Sequence, residues 1–516
     1  MKKKLLVALV ALAVTPLAAF AAPPAPFNGL AKVWTQGRST AGQGAEIVAF
    51  DIVNNNLWIA CITGVDIRNA ATGSFVDRIA IGNFGSINSV AIHNGVAAFA
   101  IESATKTNQG VVRFYNTTTR TQTGLDVTVG ALPDMLTFTP NGSKLLVANE
   151  GTPSAYGALL STTNGTKVFG AAAKDPIGSV SIIDMSTRSV VATPNFENPA
   201  LRSGSNIRLN TGMNFEPEYI AVNKAGTKAY VSLQEANAMG VIDLTTGTTT
   251  KVIGLGAKDF SLPGNQIDTR NNGTATFVST ATAAAATAAN PTVKGLYMPD
   301  GITAFERNGQ TFIAMANEGD YREDDGDRSN ASAFGAAGDL AGLRVSNTDS
   351  TRGSLFIAGA RSFSIRDENG NIVYDSGDIL DKQAAARGIY DDGRSVQKGV
   401  EPECIEIMDI GNRTYAFIGL ERTTKGAFAI FDITDPAHSS FVDMIATDGD
   451  LAPEGLTGFV MNGKHYLALA NESTEPKFST TTVYELAPVP EPETYAMLLA
   501  GLGLVGLAAR RRRLAA

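Results

Sequence analysis

Histidine, cysteine and tryptophan are scarce in this 516-residue chain: three, two and two, respectively. Proton transfer near neutral pH draws on histidine or on a strongly shifted carboxylate, and His93, His438 and His465 stand beside turn residues, outside any metalloprotease helix motif. No Gly-x-Ser-x-Gly elbow occurs, and no glycine-rich phosphate loop precedes a helix. Histidine triads, zinc hydrolysis and nucleotide cradles are thereby set aside. Cys61 and Cys404 are too few for a disulfide framework and lie in distant parts of the chain, so two buried thiols are expected. Positive charge is also short: 42 basic against 50 acidic residues give a net charge of −8, with no basic patch in the body of the chain. That balance excludes nucleic acid and anionic lipid as partners and favours cations. Long apolar runs occur only at the two ends.

What the chain has in quantity is a repeated cassette. Glu401-Pro402-Glu403 opens an apolar run, Gly411-Asn412 turns it, Tyr415-Ala-Phe-Ile-Gly-Leu carries it back to Glu421, and a third run closes at Phe431-Asp432. The same order recurs from Leu132-Pro133-Asp134 to Asn149-Glu150 and from Glu216-Pro217-Glu218 to Gln234-Glu235. It recurs again from Met298-Pro299-Asp300 to Asn317-Glu318 and from Ala452-Pro453-Glu454 to Asn471-Glu472. Weaker copies start at Glu46 and Asn88, which makes seven. Apolar runs of strand length, separated by turns rich in Asn, Asp, Thr and Gly, predict four antiparallel strands per copy. A repeat of this kind outranks length as a guide to domain count. The expected fold is all-β: a seven-bladed β-propeller with long loop insertions at 151–177, 257–294, 319–353 and 376–399. The seventh copy lacks a fourth strand, and the lone strand-like run Ala31-Lys-Val-Trp-Thr35 is expected to close the ring there.

The ends read as addresses. Met1-Lys2-Lys3-Lys4, an apolar run to Phe20 and the site Ala19-Phe20-Ala21 predict a signal peptide over residues 1–21, for signal peptidase. At the other end Pro490-Glu491-Pro492 precedes an apolar run from Tyr495 to Ala509 and the cluster Arg510, Arg511, Arg512 and Arg513. This order resembles the PEP-CTERM sorting signal. The resemblance implies recognition by an exosortase, a transient inner-membrane anchor through the hydrophobic helix, removal of the tail at 487–516, and delivery to the surface or extracellular matrix of a Gram-negative bacterium. The body, 22–486, is expected to be one propeller domain.

Glu401-Pro-Glu-Cys-Ile-Glu with Tyr415 to Arg422, Tyr297-Met-Pro-Asp-Gly-Ile302 with Ala316 to Arg322, and Val373-Tyr-Asp-Ser-Gly377 together resemble the choice-of-anchor I family of exported bacterial β-propeller proteins. The resemblance implies fold and location and leaves chemistry undefined.

The chemistry is argued from strand direction. The acid opening a first strand and the Glu closing the antiparallel second strand lie at one edge of the sheet. Asp134, Glu218, Asp300, Glu403 and Glu454 are then expected to ring one mouth of a central channel, with Glu102, Glu150, Glu235, Glu318, Glu421 and Glu472 outside them. Two roles stay open for the repeated acid: accepting backbone N–H groups at the turn entering each blade, or holding a cation, with Asp134, Glu218, Asp300, Glu318, Glu403, Glu421 and Glu454 as candidate metal ligands. Crowded carboxylates raise one another's pKa unless a cation sits among them, and an all-oxygen set suits Ca²⁺ or Mg²⁺ over zinc. The acidic stretch Asp320 to Asp327 lacks calcium-loop spacing and is expected to be a solvated loop. Arg322 and Arg422 are expected to pair with the Glu before them. Two functional classes remain: a surface module binding polysaccharide or surface proteins through its loop-rich face, without an organic cofactor, or a Ca²⁺/Mg²⁺-dependent phosphoesterase or lactonase using the mouth carboxylates.

Overall fold

The computed structural model describes residues 29–37, 44–82, 84–472 and 479–487. The predicted signal peptide, Pro490, Glu491, Pro492, the apolar run after them and Arg510 to Arg513 lie outside the described residues.

β-Branched and aromatic runs fold here into short antiparallel strands because Asx turns reverse the chain between them. Asp184 Oδ1, for example, accepts the N–H groups of Ser186 and Thr187 at 2.9 and 3.1 Å, and Asp243 Oδ1 does the same for Thr245 and Thr246 at 2.7 and 3.2 Å. Each sheet is built from consecutive strands. The first takes Ala45–Asp51, Asn56–Cys61, Gly64–Asn69 and Phe75–Ala80; the second Ile87–His93, Val96–Ile101, Gln109–Asn116 and Val127–Ala131. The third takes Pro133–Phe138, Lys144–Asn149, Ser179–Asp184 and Ser189–Ala192. The fourth takes Pro217–Val222, Lys228–Leu233, Ala238–Asp243 and Thr248–Leu255, and gains Arg202–Ser205 as a parallel fifth strand. Ile302–Arg307, Gln310–Asn317, Ser362–Asp367 and Ile372–Asp375 follow, then Pro402–Ile410, Arg413–Leu420, Gly426–Asp432 and Ser440–Thr447. In the last sheet Pro453–Met461, Lys464–Asn471 and Thr480–Leu486 are joined by the N-terminal strand Leu30–Gly37, which runs antiparallel to Thr480–Leu486 from Leu30↔Leu486 to Gly37↔Thr480.

The architecture is all-β and propeller-like. Second and third strands are buried on both faces because the cores lie between neighbouring sheets. One such cluster packs Val231 of the fourth sheet against Leu146 and Ile182 of the third; another packs Ile418 of the sixth against Phe363 of the fifth. Burial of apolar surface on this scale, at about 25 cal/mol per Å², replaces disulfides as the source of stability. Cys61 and Cys404 are indeed buried, in different sheets, and neither forms a disulfide. The first strand of each sheet packs beside the first strand of the next, and Pro453–Met461 packs beside Ala45–Asp51. First strands therefore line a common axis.

Three expectations change. Residues 257–294 are more than a loop: Ala257–Asp259 and Thr292–Leu296 form a small sheet with Ser354–Ala358, whose parallel partner lies too far along the chain for any local turn to announce it. The insertion at 376–399 contains a helix, Ile379–Ala386. The acidic stretch 320–327 is not wholly solvated. Tyr321 is buried, and Asp327, fully buried, meets Arg208 at 2.6 Å.

Candidate functional site

Bulges at the start of the first strands set the acids in place. Pairing slips between Pro133 and Leu136, Pro217 and Ile220, Pro402 and Ile405, and Pro453 and Gly455, so Asp134, Glu218, Glu403 and Glu454 all sit in the irregular step. A bulge bends the strand and re-aims its side chains, and these four line the axial cavity. The residue before the proline takes a left-handed backbone in four copies: Leu132 at φ 47°, Met298 at 42°, Glu401 at 53° and Ala452 at 50°. A left-handed L-residue costs roughly 1–2 kcal/mol. The conformation directs the carbonyl to the chain returning from the second strand, where it accepts the N–H of Glu150, Gly319, Glu421 and Glu472 at 2.9, 3.0, 2.9 and 2.7 Å, respectively. One backbone device thus brings the opening acid and the strand-closing residues to the same mouth.

The mouth is a cavity of about 370 Å³ walled almost wholly by polar groups. Asp134, Glu218, Asp300, Glu318, Glu403, Glu421 and Glu454 all line it, together with Glu46, Asp320 and Glu472. Glu102, Glu150 and Glu235 do not, although Glu150 places a carboxylate oxygen within 4.8 Å of Asp134 and Glu218. The same spacing unites Asp300 with Glu318 and Glu403, Glu318 with Glu401 and Glu421, and Glu421 with Glu454 and Glu472. Burial and then mutual repulsion push Asp134, Glu218, Glu403 and Glu454 well above the usual carboxylate range. For Glu150 and Glu421, burial is again the leading cause, and each is raised to about 7. The expected turn role is not borne out at the ring. Among the described residues no backbone N–H reaches the carboxylates of Asp134, Glu218, Glu403 or Glu454, whereas Glu102, outside the cavity, does accept the N–H of Ser86 at 3.0 Å. Asp300 and Glu403 place carboxylate oxygens within 4.8 Å of each other, and among the described residues Glu403 Oε2, on a residue only 7 % exposed, has no hydrogen-bond partner.

Sequence reasoning missed Lys398, Arg394 and the neutral donor Gln234. Lys398, on the insertion before the sixth cassette, places its ammonium against Glu318 Oε1 and 2.8 Å from Glu401 Oε2. Burial alone would lower the Lys398 pKa, but Glu318 and Glu401 outweigh it and hold it well above its ordinary value. Glu401 is held below the usual range, since Lys398 and Arg394 prevail over its burial. Gln234 Nε2 donates to Glu318 Oε2 at 2.7 Å. The only sequence signal for Lys398 was that a long insertion in a compact domain is often functional. Arg422 meets Glu421 at 2.5 Å as expected. Arg322 does not meet Glu318: it pairs with Asp324 at 2.7 Å and stacks on Tyr156 and Phe169 of the insertion in the third sheet. The intervening Gly319 turn carries Arg322 outward from the mouth, where those rings hold it.

The insertions rise on this same face. That after Asn149 and that after Asn317 both leave the second strand at the mouth edge, and they touch where the Tyr156 hydroxyl accepts the N–H of Glu323 at 3.2 Å. The arrangement can gather hard cations at the axis and present loop surface around them.

Two family models match the chain: the choice-of-anchor I domain over residues 46–436 and the PEP-CTERM protein-sorting motif over residues 488–513. No curated protein matches. Among solved structures, hydrazine synthase of Kuenenia stuttgartiensis is similar over 85 % of this chain and 95 % of that one, at 12 % identity and a TM-score of 0.48.

Proposed function

Because the chain belongs to the choice-of-anchor I family and carries the PEP-CTERM motif that marks export, exosortase processing and surface location, we propose that its body is a surface-displayed binding module whose acidic mouth takes a hard divalent cation. The body spans residues 22–486 between the signal peptide and the tail. It is a seven-bladed β-propeller, and Leu30–Gly37 closes its ring inside the last blade. The cyclic packing of first strands and the antiparallel pairing of Leu30–Gly37 with Thr480–Leu486 support that reading. Closure of this kind covers the edge that Thr480–Leu486 would otherwise present.

The observation that carries the cation is the convergence of the seven acids Asp134, Glu218, Asp300, Glu318, Glu403, Glu421 and Glu454 on one cavity where, among the described residues, the basic side chains are Lys398 and Arg422. Their oxygens are hard ligands, no His or Cys among the described residues lines the cavity, and Ca²⁺ or Mg²⁺ suits such a set. The loops around the mouth then offer the partner surface for extracellular polysaccharide or surface proteins. Calcium added to the chelated body should raise its thermal midpoint, by about 2.7 kcal/mol of stability at a hundredfold excess over Kd. Absence of both a calorimetric and a melting response to millimolar Ca²⁺ would sink the cation reading.

A second reading rests on Glu150 and Glu421, whose carboxyls near 7 could exchange protons at neutral pH. In that case the metal activates water for a phosphoester or lactone. Turnover on such a substrate panel with Ca²⁺, lost in the Asp300→Asn, Glu403→Gln double variant, would replace the binding reading with this one.

A further inference from the structure

The mouth is not uniform, and its unequal sectors say where a cation sits. In one sector Glu421 is already engaged by Arg422 at 2.5 Å. In another, Glu150 Oε1 is held by the Thr152 hydroxyl. The sector of Asp300, Glu318 and Glu403 has the same 4.8 Å spacing of ligand oxygens as the others and differs in one respect: Glu403, on the cavity wall, carries a buried Oε2 with no hydrogen bond. Gln234, 5 % exposed, fixes Glu318 from behind with its Nε2 at 2.7 Å, the kind of outer contact that orients a metal-ligating carboxylate.

Resting on the reading that the mouth takes a divalent cation, we propose that the seat is Asp300–Glu318–Glu403 and that Lys398 is a tethered competitor which weakens the ion's hold there. The Lys398 ammonium occupies the outer side of Glu318, with Glu401 at 2.8 Å and Asp320 at 3.9 Å. A divalent ion sharing Glu318 stands a few ångströms from that positive charge in a poorly screened site, and the repulsion is large at such a separation. Lys398 arrives on the insertion that carries the helix Ile379–Ala386, and Val400 and Gly399 after it pack against Asp381 of that helix. Any partner that shifts this insertion withdraws the ammonium and tightens the ion. The mouth would thereby couple cation affinity to contact at its loop-rich face.

The test is Ca²⁺ binding to the chelated, tail-free body by titration calorimetry, with Tb³⁺ luminescence as a second readout and thermal unfolding in chelator to establish that each variant is folded. Lys398→Met keeps the aliphatic stem and leaves Glu401 with Arg394, so its fold is expected to survive. Its Kd for Ca²⁺ should fall at least about tenfold below that of the wild type. Glu403→Gln should raise Kd at least about tenfold, and Asp134→Asn should leave it within about twofold. Binding that survives Glu403→Gln but is lost in Asp134→Asn overturns the seat while leaving a cation at the mouth. An unchanged Kd in Lys398→Met overturns the competitor role. Absence of binding in both the wild type and Lys398→Met overturns the cation reading itself.

Discussion

Glu406 is an acid that the repeat pattern did not single out, and it sits apart from the mouth. It lines the other half of the axial cavity, about 540 Å³ in volume and flanked by Ile405, Phe459 and Thr457. Burial raises its carboxyl to about 8, against the opposing pull of the Gly458 and Ile407 N–H groups. A folded-state pKa above the unfolded one means that the native protein holds the extra proton. Its stability contribution is complete below the unfolded value near 4.5 and is lost as pH climbs through about 8. Glu406→Gln mimics the protonated form. Urea midpoints of the two proteins should coincide at about pH 3.5, and the variant should be more stable at pH 9 by up to about 5 kcal/mol. A difference independent of pH would contradict the assignment. The ring acids Glu403 and Glu421 were legible from the cassette, because strand direction alone puts both at one sheet edge. Lys398 was not: nothing in a lysine near the end of a 24-residue insertion says that its ammonium folds back onto Glu318.

At the scale of the element, the Asn-Glu pair that ends several second strands divides its work. The Glu, or its neighbour across the bulge, faces the mouth, while the Asn turns into the sheet. Asn149, Asn317 and Asn471 are fully buried. Asn149 Nδ2 reaches Ser181 Oγ at 3.0 Å while its Oδ1 accepts the N–H of Gly130 at 2.9 Å, tying the second strand to the third and to the end of the preceding sheet. Asn317 and Asn471 make comparable contacts with Ser364 at 3.2 Å and Thr480 at 3.1 Å. Truncating Asn149 to Ala leaves the Gly130 N–H and the serines without their partner, which should cost about 2–3 kcal/mol in a denaturant titration. A loss below about 0.5 kcal/mol would show that the clamp is dispensable. The bulges belong to this scale too. A proline after an acid or an apolar residue announces the start of a strand, but the left-handed turn at Leu132, Met298, Glu401 and Ala452 could not be read from residues that ordinarily avoid it.

At the scale of the whole molecule, the N-terminal strand carries the prediction. Trp34 is buried and donates its indole N–H to the Ala70 carbonyl of the first sheet at 2.9 Å, while its own strand pairs in the last. Deleting residues 27–36 should abolish cooperative unfolding, because it exposes Thr480–Leu486 as an edge and strips the contact between first and last sheets. A truncated body that melts in one transition with an unchanged midpoint would disprove this. The cassette, its strands, the C-terminal sorting motif and the expectation that acids meet at one end were legible in the sequence alone, since strand period, turn chemistry and chain direction are local properties. Only the tertiary structure decided which acids share a cavity, which are met by Lys398, Arg394 and Arg422, and which buried oxygen at Glu403 has no partner. Those outcomes depend on residues far apart in the chain whose charges interact over a few ångströms once the sheets pack, and no local pattern encodes such distances.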